Sequence, residues 1–490
     1  MSDKRKWLSV ILGPLVFVLL EIIGRPESMS ESAFHLLAIT FWIAIWWVTE
    51  AIPIAVTALL PIILFPIFDV MDLSSTTASF GHKYVFLYVG GFIIAIAIEK
   101  WGLHKRIALT IINGIGTNMV NIILGFMLAT AFLSMWISNT ATAVMMLPIG
   151  MAIVSQLHDN ALVDKKVAGL FGKALMLGIA YSASIGGMAT LIGTPPNLVL
   201  VGVVEETYGV EISFLQWFKF GFPISIVLLF VCWKYLTKYA FKLKKAEFPG
   251  GKLEINRLLK ELGKLSKEEK YVLVVFIVTA FCWITRSFLL QPFIPALDDT
   301  IIAIIAGVVL FILPSTKKGE RIINWEEAVK MPWGIILLFG GGMALAEGFG
   351  TTGLALWIGS QISMVEGISL ILIILILVAA VNFLTELTSN LATTAMLLPI
   401  LAPMALAFDI NPYMLMVSAT LAASCAFMLP VATPPNAVVF GSGYLRIPDM
   451  MKAGIWMNII SIFFITVMVY FLLPMIWNIV PDQYSDLIGN

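Results

Sequence analysis

The sequence predicts an all-α polytopic membrane protein, with about 11 transmembrane helices and two re-entrant hairpins arranged in two inverted repeats. Three observations lead there. Of 490 residues, 60% are hydrophobic and 12% charged, a balance that cannot clothe a soluble surface. Apolar runs of about 15 to 25 residues recur from end to end, the length needed to cross a hydrocarbon layer of roughly 30 Å, and strand-like alternation is absent. The stretch Ser138-Asn139-Thr140-Ala141-Thr142-Ala143-Val144-Met145-Met146-Leu147-Pro148 returns as Ser389-Asn390-Leu391-Ala392-Thr393-Thr394-Ala395-Met396-Leu397-Leu398-Pro399, displaced by 251 residues.

Residues 1–33 are expected to form an N-terminal helix and its connection. Lys4-Arg5-Lys6 followed by apolar residues 7–23 has the charge pattern of a signal peptide. The run is long, however, and Gly24-Arg25-Pro26-Glu27 offers no small-residue cleavage site, so the helix should stay uncleaved. The first repeat spans 34–237, with helices near 34–48, 52–68 and 84–98, a double segment at 120–157, and segments at 168–203 and 214–237. A hydrophilic linker, 238–270, carries ten Lys or Arg and five Glu and is the one long charged stretch. The second repeat, 271–490, has helices near 271–290, 299–313 and 333–347, a double segment at 367–408, and segments at 410–442 and 453–479. Cys232, Cys282 and Cys425 lie inside apolar segments without metal-ligand spacing, which points to buried small residues rather than disulfides or zinc.

The limb leading to the first Ser-Asn pair, residues 122–136, would reach only about 22 Å as a helix, too short to cross. Both double segments are therefore expected to turn back at Ser-Asn, with tips near the bilayer midplane, where non-helical backbone must be buried or line a cavity. A pair of short tilted crossings is the alternative, and charge placement separates the two. With a cytoplasmic N-terminus and each hairpin entering and leaving on one side, 26 of the 30 Lys and Arg fall on cytoplasmic ends and loops. Arg25, Lys83, Lys219 and Arg286 remain opposite, beside Glu205-Glu206, Asp298-Asp299 and an acidic tail at Asp482 and Asp486, so the C-terminus is placed outside the cell membrane.

The duplication extends further. Gly90-Gly91 and Gly102-Leu103 match Gly341-Gly342 and Gly353-Leu354 at the same 251-residue offset, and Ile192-Gly193-Thr194-Pro195-Pro196-Asn197 matches Val431-Ala432-Thr433-Pro434-Pro435-Asn436 at 239. Gly90-Gly91 and Gly340-Gly341-Gly342 read as close helix contacts rather than ligands. Each repeat then contains an odd number of crossings, so the copies are inverted, the signature of secondary transporters with sites at the midplane. Two consecutive prolines remove two amide donors and bias the preceding threonine out of helical geometry, so each helix should break there. A break exposes carbonyls that suit cations and helix N-termini that suit anions. At the tips, Ser134 and Thr385 stand four residues before Ser138 and Ser389, stacking oxygens on one helical turn. Uncharged oxygens fit a weakly held monovalent cation better than calcium or zinc. Neither hairpin contains Lys or Arg, so an anion would be held by amides, hydroxyls, helix N-termini and bound cations, which couples the two ligands electrostatically.

At these motifs, over nearly its whole length, the chain resembles the divalent anion:sodium symporter family of di- and tricarboxylate carriers. The resemblance implies one sodium among Ser134, Ser138, Asn139 and Gly193, and a second among Thr385, Ser389, Asn390, Ala432 and Pro434. It implies that Asn139, Thr140, Thr194, Asn390, Thr433 and Pro434 face the substrate carboxylates. A homodimer with a static scaffold and a transport domain moving as an elevator is also implied. Leu391 departs from the pattern where the second motif often has Thr, so one hydroxyl contact to a carboxylate is missing and substrate preference is in question. Some relatives exchange dicarboxylates without sodium; the oxygen ligands kept at both tips favour sodium coupling here.

Other classes fit less well. Glu50, Glu347 and Glu386 lie in or near membrane segments as proton carriers or as hydrogen-bonded structural groups. His35, His82, His104 and His158 fall near segment ends with no zinc motif or Ser-His pair, which argues against an intramembrane enzyme and any organic cofactor. A channel would not need inverted repeats. Trp42, Trp46 and Trp47 read as packing or interfacial anchors rather than a nucleic-acid platform.

Overall fold

The computed structural model describes residues 3–116, 118–159, 164–243, 249–362 and 368–484. Among these the regular elements are helices joined by turns and loops, with isolated bridge residues at Asn118 and in the pair Pro314 and Arg321. Nine described helices are long and apolar enough to cross a membrane, and shorter apolar helices such as Met119–Ser134 and Leu370–Leu384 accompany them.

Each double segment is two helices joined by a short turn. The first consists of Met119–Ser134 and Asn139–Asp159, and the second of Leu370–Leu384 and Asn390–Ala407. The second was expected to begin at 367, which lies outside the described residues. Both Thr-Pro-Pro-Asn motifs interrupt a helix. Lys165–Gly187 stops before Pro195–Tyr208 begins, and Pro412–Ala423 stops before Pro434–Phe440. The threonine ahead of each proline pair is extended, at φ −143° and ψ 141° for Thr194 and φ −140° and ψ 148° for Thr433. That is the conformation a following proline imposes.

Three local expectations change. The segment 52–68 is two helices, Ile54–Thr57 and Leu60–Ile67, because Pro61 has no N–H to bond the Thr57 carbonyl. Hydropathy alone also misses Leu103–Ile115 and Leu354–Ile362, which precede the hairpins. Each follows a left-handed glycine, Gly102 at φ 70° and Gly353 at φ 77°, so the duplicated Gly-Leu pairs mark matched chain reversals. Within the linker, of which residues 244–248 lie outside the described residues, Pro249–Glu261 is a helix packed on Leu103–Ile115 and on the second limb of the first hairpin. Arg106 fastens its end, donating to the Gly263 carbonyl at 3.0 Å, the Leu262 carbonyl at 3.2 Å and the Glu269 carboxylate at 2.8 Å.

The glycine-rich contacts are as tight as expected. A Cβ at Gly90 would come within 2.6 Å of the Ala303 backbone, and one at Gly341 within 2.5 Å of the Ala58 carbonyl. Gly186 does the same for the first hairpin, whose Ala131 backbone occupies the space of a side chain. That approach sets the first tip against the helix leading into the first break.

Candidate functional site

Both tips and both breaks meet at one cavity of about 1040 Å³. Its wall includes Ser138, Asn139 and Thr140 from the first tip, Ser389, Asn390 and Leu391 from the second, and residues 192–196 and 430–435 from the breaks. Asn139, Thr140, Thr194, Asn390, Thr433 and Pro434, expected around an anion, all line it. Of the set expected around cations, Ser138, Gly193, Ser389 and Ala432 line it too, whereas Ser134 and Thr385 are fully buried and absent from the wall.

Helices beginning at Asn139, Asn390, Pro195 and Pro434 each put their first residues on this wall. The first intrahelical amide bonds at the tips are Thr142 N to Ser138 O and Thr393 N to Ser389 O. Ser138 Oγ caps the Ala141 amide at 3.2 Å, and the remaining leading amides at the tips have no partner within their own helix. The breaks open on proline pairs without N–H groups, so the positive ends of the longer helices at Asn139, Asn390 and Pro195 face this space through their dipoles. Among the described residues no Lys, Arg or His lines the cavity, and Glu50 is its one carboxylate.

Beside the first tip, Ser134 Oγ donates to the Ala183 carbonyl at 2.7 Å. One terminal atom of the Asn139 carboxamide lies 2.5 Å from Ser134 Oγ and 3.2 Å from both the Ala183 and Gly193 carbonyl oxygens. As nitrogen, that atom has two N–H groups to donate among these three acceptors. As oxygen, it completes a four-oxygen set that only a cation can reconcile. Thr385 and Asn390 repeat the arrangement: Thr385 Oγ1 is 2.7 Å from Asn390 Oδ1 and 3.0 Å from the Ala423 carbonyl. One hydroxyl proton serves one of those acceptors, and the other oxygen is left needing positive charge. Uncharged oxygens suit a monovalent cation. No group of three His, Cys, Asp or Glu that could hold a metal occurs among the described residues.

The breaks are held by residues absent from the expected set. Asn197 Nδ2 donates to the carbonyls of Gly187 at 3.2 Å and Thr190 at 2.7 Å, and Asn436 Nδ2 to those of Ala426 at 3.2 Å and Leu429 at 3.0 Å. Their presence at matched places in both motifs was the available signal. Ala183 and Ala423 act through backbone carbonyls, which leave no mark in a side-chain pattern.

Glu386 is buried and accepts N–H bonds from Phe427 at 2.7 Å, Met428 at 2.9 Å, Leu429 at 3.0 Å and Asn458 Nδ2 at 2.8 Å. Four donors make it the organiser of the loop ahead of the second Thr-Pro-Pro-Asn. Glu347 accepts from Ser79 Oγ at 2.7 Å, a contact between separate helices. Glu50 is left-handed at φ 46° and ends the helix Glu31–Thr49.

Comparison with known proteins gives the family. The family model described as the sodium:sulfate symporter transmembrane region matches residues 4–480. The chain belongs to the divalent anion:sodium symporter family. It is 48% identical over 478 residues to the sodium-dependent dicarboxylate transporter SdcS of Staphylococcus saprophyticus, covering 96% of this chain and 92% of that protein. The protein of the same name from Staphylococcus aureus strain USA300 is 47% identical over 482 residues, covering 97% and 93%. Two solved transporters share the fold at low identity. Neisseria gonorrhoeae MtrF, described among antimetabolite efflux pumps, has a TM-score of 0.57 at 11% identity, covering 92% of this chain and 96% of its own. Alcanivorax borkumensis YdaH has a TM-score of 0.57 at 12% identity, covering 82% and 88%. Members of the symporter family are membrane transporters, not enzymes.

Proposed function

We propose that the protein is a sodium-coupled secondary transporter of di- or tricarboxylates of the succinate, malate, 2-oxoglutarate or citrate class. The chemistry of the central cavity carries this reading: the helix N-termini at Asn139, Asn390 and Pro195 and two oxygen sets surround a space that no cationic side chain lines among the described residues. A desolvated dicarboxylate there would meet only partial positive charges, roughly half an elementary charge per helix end. Two sodium ions in the oxygen sets would supply the remainder, so anion binding is strong only when the cation positions are filled. The names of the SdcS relatives support both the ion and the substrate class.

Inverted repeats underlie the proposed movement, in which hairpins and broken helices travel as an elevator against the other helices. We place the N-terminus in the cytoplasm and the C-terminus outside, because 26 of 30 basic residues then fall on the cytoplasmic side. The homodimer is proposed from family resemblance. The domains proposed are the helix and connection at 1–33, the repeats at 34–237 and 271–490, and the cytoplasmic linker at 238–270.

Uptake of labelled succinate or 2-oxoglutarate into proteoliposomes tests the reading. An inward sodium gradient is expected to drive accumulation. Uptake that depends instead on unlabelled dicarboxylate inside would replace symport by exchange. No uptake of several di- and tricarboxylates under any gradient would overturn the substrate class.

A further inference from the structure

Away from the central site, a second cavity of about 870 Å³ opens beside the helices Lys165–Gly187, Phe214–Lys234 and Ile447–Val467. Its wall carries four lysines, Lys173, Lys234, Lys242 and Lys452, against one carboxylate, Asp449. Lys173 Nζ bonds Asp449 Oδ1 at 2.7 Å, which accounts for that carboxylate. Lys234, Lys242 and Lys452 make no ion pair among the described residues. Three unneutralised ammonium groups around one concavity repel one another and favour an anion between them.

The surroundings distinguish an amphiphile from a soluble ion. Lys452, Trp456, Ile460, Phe463 and Val467 follow one another at helical spacing, and Trp456 and Phe463 are 57% and 59% exposed. On the neighbouring helix, Lys234 stands four residues after Phe230, and Val227 comes three before that; both are exposed. Basic groups thus sit at one end of two apolar stripes, with Trp456 and the 63% exposed Tyr239 beside them, residue types that favour the membrane interface. Tyr235 ties these helices together by donating its hydroxyl proton to the Ala453 carbonyl at 2.9 Å. Basic pockets between membrane helices with this layout take phosphate-bearing lipid head groups.

We propose that this cavity binds the phosphate head group of an anionic phospholipid, its acyl chains lying along the two apolar stripes. The site does not depend on the transported substrate or on sodium, so it can fail while the transport reading stands. The test uses the purified full chain in neutral detergent at low ionic strength, read by the midpoint of thermal unfolding. Phosphatidylglycerol is expected to raise the midpoint by several degrees, and added salt to weaken the effect. The triple variant Lys234→Gln, Lys242→Gln, Lys452→Gln should need roughly 100-fold more lipid, about 5-fold for each lysine lost. A triple arginine variant should respond like the parent; it also serves if the glutamine variant fails to fold, together with Lys452→Gln alone at about 5-fold. Three results overturn the proposal: an equal response to phosphatidylcholine, an unchanged lipid requirement in the glutamine variants, or the same shift from soluble glycerol phosphate at matched concentration. The last would identify a free phosphate ester as the occupant.

Discussion

The two breaks facing the central cavity share a sequence motif and differ in what closes them. In the first, the loop carbonyls are collected by donors: Asn197 serves Gly187 and Thr190, and Trp217 Nε1 donates to Met188 O at 3.0 Å. In the second, Asn436 keeps the equivalent task, but Glu386 adds a carboxylate that gathers three successive loop amides. Met135 stands at the position of Glu386 in the first copy, 251 residues earlier, where Thr190 Oγ1 bonds its carbonyl at 2.5 Å. The duplication thus preserves most of the groups on the cavity wall, Leu391 for Thr140 being an exception, and lets the supports behind them diverge. The copies also brace each other, since Tyr181 donates to the Phe427 carbonyl at 2.7 Å across the repeat boundary.

Removing what the copies share should have the largest effect. Asn139→Ala and Asn390→Ala are each expected to cut sodium-driven dicarboxylate uptake at least 10-fold, since each deletes a half-buried amide on the cavity wall, a group worth about 1.5–3 kcal/mol toward a charged ligand. Near-normal uptake in either variant would remove that asparagine from the site and break the equivalence of the tips.

Glu386→Gln probes what they do not share. The amide keeps one acceptor oxygen and turns a donor toward the Leu429 N–H or its neighbours, so stability should fall by about 2–4 kcal/mol in detergent denaturation. Met135→Leu, the matched change, should be neutral within about 1 kcal/mol, as a volume-conserving swap. If Glu386 were a proton carrier, Glu386→Gln would instead unfold like the parent and alter only the pH dependence of uptake.

These contrasts follow how much of the site was legible in the chain. Ser-Asn and Thr-Pro-Pro-Asn announce themselves because polar and helix-breaking groups are costly inside apolar runs, and their repetition supplied the pairing. Ala183 and Ala423 could not be found that way, since every residue has a carbonyl and only the fold aims one at the Ser134 or Thr385 hydroxyl. Glu386 was visible as a charge, but the three amides that give it a task come from a loop some 40 residues later. The helices Leu103–Ile115 and Leu354–Ile362 were hidden for a different reason: they are short or amphipathic beside long apolar neighbours, so hydropathy alone passes over them.

Leu391→Thr sharpens the comparison at the cavity wall. Leu391 replaces the hydroxyl-bearing partner of Thr140 while keeping the same backbone amide, and both residues line the cavity. Restoring a hydroxyl is expected to change the ratio of succinate to citrate uptake by roughly 5- to 10-fold, the range of one hydrogen bond of about 1–1.5 kcal/mol. An unchanged ratio would mean that Leu391 touches neither substrate.

The smallest effect lies one turn behind the tips. Thr388 Oγ1 and Thr393 Oγ1 are hydrogen-bonded at 2.6 Å in the second copy, whereas in the first Ile137 stands opposite Thr142, whose buried hydroxyl has no partner. Ile137→Thr should supply that partner, gaining about 1 kcal/mol while losing a similar amount of apolar burial. The single change is therefore expected to be nearly silent, and the information lies in its coupling. In a Thr142→Val background the new hydroxyl has nothing to bond, so the same substitution should cost about 1–2 kcal/mol, giving a coupling energy of about 1 kcal/mol in a double-mutant cycle. Absence of coupling would show that the first tip does not hold residues 137 and 142 as the second holds 388 and 393. The two oxygen sets would then share their ligands without sharing the turn geometry behind them.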